Sequence, residues 1–246
     1  MHICLDAGIN ALIQGMQTQP PELISLLSVF ICGLCIVLAQ RLFGLYGLMT
    51  YNVLAVVLAN IQVLRLCQFS FLSEPVALGT ILFATLFLTT NMITEYYGAQ
   101  AAKTNIQLCF FGMIITSVLM VIDLGHRPVS CDHPAYQAMV TLFVPSVRIL
   151  IASLCAFFVS QYYDVLVFKL LKQRKAFLWL RTMIASLSSS LLDNLIFGLL
   201  AWRFLSETPL DFKSIVMTYI LGAFLARAVV GIALTPIIYM GKRSEV

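Results

Sequence analysis

Between Leu23 and Gln40, and again between Pro75 and Thr94, the chain carries no Lys, Arg, Asp or Glu. Coiled as an α-helix, a run of about 20 residues spans roughly 30 Å, the thickness of a bilayer's hydrocarbon core. In lipid the backbone has no water to bond, so such a run must satisfy its N–H and C=O groups internally, as a helix does. Composition extends the point to the whole chain. Hydrophobic residues make up 61% of the 246 and charged residues 11%, against about 25% charged in a soluble domain. Mean hydropathy is +0.96. No soluble fold hides that much apolar helix from water, so the fold class is an all-α polytopic membrane protein embedded in the lipid bilayer. The net charge of +4 is too small to suggest a nucleic-acid partner, and membrane topology accounts for it.

Residues Met1 to Pro20 contain no Lys or Arg and so lack the basic start of a signal peptide. They read as a short tail before the first helix. Of the seven cysteines, Cys32, Cys35, Cys67, Cys109 and Cys155 lie in or beside apolar runs. Cys32-x-x-Cys35 has redox spacing, but no charged neighbour is at hand to activate a thiol, and packing is the expected role. His126, Cys131, Asp132 and His133 share one polar loop without the repeated spacing of a metal site. No metal and no cofactor are expected.

Seven segments are long enough to cross: 22–40, 45–64, 76–95, 104–124, 141–162, 181–202 and 215–239. Only short polar joints separate them. With seven crossings, Arg41, Lys103, Lys169, Lys172, Arg174, Lys175, Arg181, Lys242 and Arg243 fall on one side, and Arg65, Arg127, Arg203 and Lys213 on the other. The richer side is expected in the cytoplasm, which puts the N-terminus outside and the C-terminus inside. Trp179 and Trp202 bracket the sixth span ~34 Å apart, as an interfacial belt requires.

Ionisable groups inside a span cost free energy and normally face a bundle interior or a wet cavity. Here Glu95, Arg148, Asp164, Arg181, Asp193 and Arg227 lie in or at the ends of spans. Three acids against three bases leave the core neutral as a set. The plain reading is ion pairs that hold helices in register. Their number, the central depth of Asp193 and Arg227, and their polar neighbours favour a functional one.

An internal repeat sharpens this. Span five reads Arg148-x-x-Ile151-Ala152-Ser153 and span six Arg181-x-x-Ile184-Ala185-Ser186; downstream, Ser160-x-x-x-Asp164-x-Leu166-x-Phe168 matches Ser189-x-x-x-Asp193-x-Leu195-x-Phe197. A four-residue insertion, about one turn, separates the copies and keeps their faces in phase. Ser153, Ser160 and Asp164 fall within about 40° of one another, and Ser186, Ser189, Ser190 and Asp193 within about 100°. Consecutive spans run in opposite directions, so the copies form an inverted pair, a transporter design when polar residues sit at the midplane. Such stripes also serve simple helix packing. In span three, Asn91 and Glu95 are one turn apart on one face, and Gly98 is placed to close that helix in a left-handed cap. Span two adds Asn52, Asn60 and Gln62.

An enzyme is the first rival. All three histidines (His2, His126, His133) lie outside the spans, and there is no Gly-x-Ser-x-Gly elbow or His-Glu-x-x-His pair, which leaves a hydrolase without an evident base. A channel would want a ring of identical groups. No nucleotide-binding Walker sequence is present. What remains is a non-enzymatic small transporter driven by a gradient, or a binding subunit powered by a partner.

The run Ala59-Asn60-Ile61-Gln62, the segment Asn91 to Gly98 with Lys103, the Arg148…Ser153…Gln161-x-x-Asp164 helix, and Leu180-Arg181…Ser186…Leu192-Asp193…Phe197 together resemble the queuosine precursor transporter family, earlier labelled a vitamin uptake family. The resemblance covers roughly residues 45 to 239. Where many members carry an acidic residue, this chain has Asn91. The resemblance implies two parts: residues 1–44 as N-terminal tail plus an added transmembrane helix, and residues 45–246 as a six-helix transporter core. It implies import of a 7-deazaguanine (preQ0, preQ1 or queuine) across a bacterial cytoplasmic (inner) membrane for tRNA queuosine.

A guanine-like edge presents N–H and NH2 side by side, which a carboxylate accepts in bidentate fashion. Asp193 is the first choice of acceptor and Glu95 the second. Arg148, Arg181 and Arg227 would fix the carboxylates; Asn91, Asn60, Gln62, Ser186 and Asn194 complete the expected substrate-facing set. Tyr96, Tyr97 and Tyr219 offer aromatic faces to an aminomethyl cation. The alternatives are a substrate-binding subunit of an energy-coupling vitamin transporter, with Ala55-x-x-x-Ala59 meeting the partner, or a carrier of another purine-like molecule. Coupling ion, energising partner and homo-oligomeric state are left open.

Overall fold

The computed structural model describes residues 2–70, 75–128, 130, 133–143, 147–205 and 211–241. Its elements are α1 (His2–Gln17), α2 (Pro21–Gln62), β1 (Leu66–Cys67), β2 (Val76–Ala77), α3 (Thr80–Tyr96), α4 (Ala99–Leu124), α5 (Pro134–Phe143), α6 (Val147–Gln173), α7 (Leu178–Leu199), a π-helical extension Leu200–Phe204, α8 (Phe212–Ser214), a π-helix Ile215–Gly222, α9 (Ala223–Leu234) and a closing 3-10 helix Thr235–Met240. The expected N-terminal tail is thus the helix α1. Pro20 and Pro21 separate it from α2, because a proline at the first helical position starts a helix and ends the one before it. A two-residue antiparallel ladder, Leu66 with Ala77 and Cys67 with Val76, closes the polar joint after α2.

Five helices among the described residues are long and apolar enough to cross a membrane: Pro21–Gln62, Ala99–Leu124, Leu150–Gln173, Leu178–Phe204 and Ile220–Met240. The chain is a multi-pass membrane protein. At 42 residues α2 is about twice a bilayer's thickness, and it is broken at Gly44 (φ 57°, ψ −130°). Only glycine reaches that conformation without strain. The halves fold back on one another: a Cβ at Gly47 would lie 2.0 Å from the carbonyl oxygen of Ala39, and Tyr51 reaches Cys32. The turn falls where the sequence places the joint between spans one and two. At 17 residues, ~26 Å of helix, α3 is shorter and is buried along nearly its whole length.

The expected fifth span, 141–162, is displaced toward the C-terminus. Helix α6 runs from Val147 to Gln173, so Asp164 and Phe168 lie well inside it. Lys172, in the last turn of α6, meets Glu95 of α3. Gly98 has the expected positive φ (93°), but its ψ of 162° is extended rather than left-handed helical, and it starts α4.

The bundle has an apolar core, with Ile36, Leu48, Met92, Ile106 and Phe168 fully buried, but it also buries many polar groups and exposes large apolar ones. Asn52, Thr85, Thr89, Asn91, Ser160, Gln161, Asp164 and Ser189 are buried, while Phe30, Leu42, Leu54, Phe111, Leu166 and Val229 are exposed. An apolar outer surface with polar groups turned inward suits lipid, where polar groups bond only one another. Helices α6 and α7 pack antiparallel, and α3 lies against both and against α9.

Candidate functional site

The two copies of the repeat lie on α6 and α7 and interlock. Ser160 of the first copy donates to Asp193 Oδ1 of the second at 3.1 Å. Reciprocally, Ser189 of the second copy lies against Asp164 of the first. The antiparallel packing brings position 160 opposite 193 and 164 opposite 189, so an inverted sequence repeat becomes a pseudo-twofold arrangement of two Ser–Asp pairs.

The two carboxyl groups differ in their remaining partners. Asp193 Oδ2 accepts from Arg227 Nη1 of α9 at 2.5 Å, and the Arg227 guanidinium stacks over Phe83 at 4.9 Å. Asp164 has Asn91 instead of an arginine. Its side chain is fully buried, and neither oxygen makes a hydrogen bond among the described residues.

A polar column continues along α7 toward its N-terminal end. Asn91 Nδ2 donates to Ser186 Oγ at 2.9 Å. One turn on, Glu95 Oε2 meets Arg181 Nη2 at 2.5 Å and Lys172 Nζ at 3.1 Å, and Lys172 also bonds the Glu95 carbonyl at 2.9 Å. The Arg181 guanidinium sits over Phe168 at 5.2 Å. From Asp193 to Arg181 the column covers ~18 Å of helix. Thr90 donates to Gln161 at 2.8 Å and Thr89 to Asn52, tying α3 to α6 and α2.

Other expected residues lie elsewhere. Asn60 accepts from Ser153 Oγ at 2.7 Å near the opposite end of the bundle, and it lines a second cleft with Val57, Met113, Leu142 and Leu150. Gln62 is exposed at the end of α2. Asn194 is buried and donates to the Ile220 carbonyl at 3.4 Å, holding α7 to the π-helix. Tyr96 donates to the Ile238 carbonyl at 2.6 Å. The side chains of Arg148 and Tyr219, and residues Cys131, Asp132, Lys242 and Arg243, lie outside the described residues. No group of three metal-ligating side chains occurs among the described residues.

Between α3, α7 and α9 runs a cleft lined by Phe87, Thr182, Ser186, Ser190, Arg227 and Thr235, among others. Its centre admits little more than one water molecule. Most of its lining is apolar, Phe87 included, and Thr182, Ser186, Ser190, Thr235 and the charged Arg227 are its polar groups.

The family model described as "Putative vitamin uptake transporter" matches residues 77–241. The chain belongs to this family. It is 28% identical over 211 residues to a "Probable queuosine precursor transporter" of Bacillus subtilis (strain 168), covering 85% of this chain and 89% of that protein. Over 124 residues it is 27% identical to a protein of the same name from Haemophilus influenzae (strain ATCC 51907 / DSM 11121 / KW20 / Rd), covering 50% of this chain and 51% of that one. No solved structure matches. The match to the family takes in α3 through the final 3-10 helix, and so every member of the polar column.

The sequence reading passed over Thr90 and treated Lys172 as a loop charge. A four-residue spacing from Phe168 was the available sign that Lys172 shares the face of α6 that carries Phe168.

Proposed function

We propose that this membrane transporter imports queuosine precursors, the 7-deazaguanines preQ0, preQ1 or queuine, across the bacterial inner membrane. The observation that carries the reading is the Asp193–Arg227 pair beside a cleft whose walls already hold Ser186, Ser190 and Phe87. A carboxylate is a ready acceptor for a guanine-like N–H and NH2 edge, and the Arg227 guanidinium stays beside it as counter-charge, free to donate to the carbonyl oxygen of the same heterocycle. Phe87 offers a face for the heterocycle, and Ser186, held from behind by Asn91, continues the wall. Glu95, held by Arg181 and Lys172, forms the cytoplasmic end of the route. Asn60 and Ser153 mark the outer end.

In this reading there are seven crossings, since the two halves of α2 each count and α3 is the third. Residues 1–44 are the addition and 45–246 the six-helix transporter core. Alternation of helix direction puts Arg41, Lys172, Arg174, Lys175 and Arg181 at one end, which the positive-inside rule assigns to the cytoplasm. Burial of Ala55 and Ala59 within the bundle favours a self-sufficient transporter over a partner-driven subunit, because that pair is not open to a second protein.

The test is the queuosine content of tRNA in a bacterial host that neither makes nor imports the precursors. The chain is expressed there, and preQ0, preQ1 and queuine are fed separately, queuine in a host that also inserts it. Modified tRNA from one precursor establishes import and names the substrate. No modification from any precursor, with the protein confirmed in the membrane, overturns the reading.

A further inference from the structure

We propose that Asp164 is the proton-binding site that couples transport to a proton gradient, and that it holds its proton in the conformation described here. The inference rests on the transporter reading above and adds its energy source. It starts from the asymmetry between the two Ser–Asp pairs. Asp193 has Ser160 and Arg227 as donors. Asp164 is 0% exposed and, among the described residues, forms no ion pair. Its neighbours Ser189 and Asn91 leave a second puzzle, because Ser189 Oγ and Asn91 Oδ1 are themselves buried with no hydrogen-bond partner.

One proton resolves all of it. A neutral Asp164 donates from its hydroxyl to Asn91 Oδ1 and accepts from Ser189 at its carbonyl oxygen, while Asn91 Nδ2 remains on Ser186. An ionised Asp164 would be a buried charge with no counter-charge beside it among the described residues, which is far costlier than an unmade neutral hydrogen bond. The charged groups on the surrounding elements are already matched. On α7 and α9, one turn outward, Asp193 faces Arg227. On α3, α6 and α7, toward the other end, Glu95 faces Arg181 and Lys172. From α2 the buried polar group is Asn52, and from α4 it is Asn105, both uncharged. A sodium ion is the rival ligand. It would want about six oxygens and room for itself, whereas Asp164, Ser189 and Asn91 offer four oxygens and neither cleft is lined by Asp164.

Coupling follows from the link through Ser186. The Asn91–Ser186 bond joins the Asp164 cluster directly to a cleft-lining residue. Substrate that engages Ser186 and parts α3 from α7 breaks the acceptor that holds the proton. The proton leaves toward the side to which the cluster opens, so each transport cycle moves one proton with one substrate.

The experiment uses the full chain in proteoliposomes with radiolabelled preQ0 and preQ1, beside an infrared measurement of the same samples. Wild type is expected to show the carbonyl stretch of a protonated carboxyl that Asp164→Asn lacks. The variant is expected to exchange labelled substrate at zero gradient within about twofold of wild type, yet to lose at least tenfold of the accumulation driven by an inward proton gradient. Asp164→Ser, which also removes the proton but differs in shape, is expected to behave alike. Absence of the carboxyl band, accumulation by Asp164→Asn equal to wild type, or accumulation driven by sodium and not by protons would each overturn the proposal. If the band is present but wild type exchanges neither compound, the 7-deazaguanine reading falls, and the proton site stands on the band.

Discussion

Ser160 donates to Asp193 at 3.1 Å, joining the Ser of one copy of a duplicated sequence element to the Asp of the other. The mirror contact, Ser189 against Asp164, lacks an arginine. Inverted repeats around a midplane site let one half rock against the other. Here the halves share a seam of Ser–Asp contacts, and only the Asp193 side is tied to α9. The tie to α9 is the contact that distinguishes the two pairs.

Asp193→Asn should lower uptake roughly tenfold to a hundredfold, the worth of a hydrogen bond to a charged group. It should also cost about 3–5 kcal/mol of stability by leaving Arg227 buried and unpaired. The double variant Asp193→Asn with Arg227→Met should regain most of the stability and none of the uptake. Thermal unfolding in detergent and cellular uptake measure the two effects; recovery of both together would contradict the assignment.

Glu95→Gln removes a carboxylate shared by Arg181 and Lys172, and should cost roughly 1.5–3 kcal/mol. Lys172→Ala should cost less than about 1 kcal/mol, since that partner is largely exposed. The ranking of the two variants in thermal unfolding tests which cation carries the contact.

The hairpin in α2 rests on two glycines. Gly44→Ala should destabilise by roughly 1–3 kcal/mol, because a Cβ is strained at that positive φ. Gly47→Ala drives a Cβ into the Ala39 carbonyl and should be at least as damaging. Gly8→Ala and Gly15→Ala, which meet nothing within 4 Å, serve as controls. Yield of monodisperse protein on size-exclusion chromatography reads the difference.

Orientation is open to a labelling test. A cysteine replacing Lys175 should react with an impermeant thiol reagent only from the cytoplasmic side, and one replacing Ser70 only from outside. Native cysteines are first replaced by serine or alanine. The reverse pattern would invert the topology.

Much of this was legible in the amino-acid order. Uncharged runs such as 23–40 dictate membrane helices because lipid leaves the backbone no other partner. The Ser–x–x–x–Asp repeat marks equivalent faces because helical phase is set by spacing alone. Asn91, Glu95, Asp164, Asp193 and Arg227 of the polar column were visible as groups too polar for their spans, whereas Thr90 and Lys172 were not. What spacing does not contain is which polar group meets which across helices. That Asp193 takes Arg227 while Asp164 is left with Ser189 and Asn91 depends on where α9 and α3 dock. That Asn60 lies near the far end of the bundle and Gln62 on its surface depends on the direction of α2 after Gly44. Side-chain pairing is a property of packed helices, and only their packing decided it.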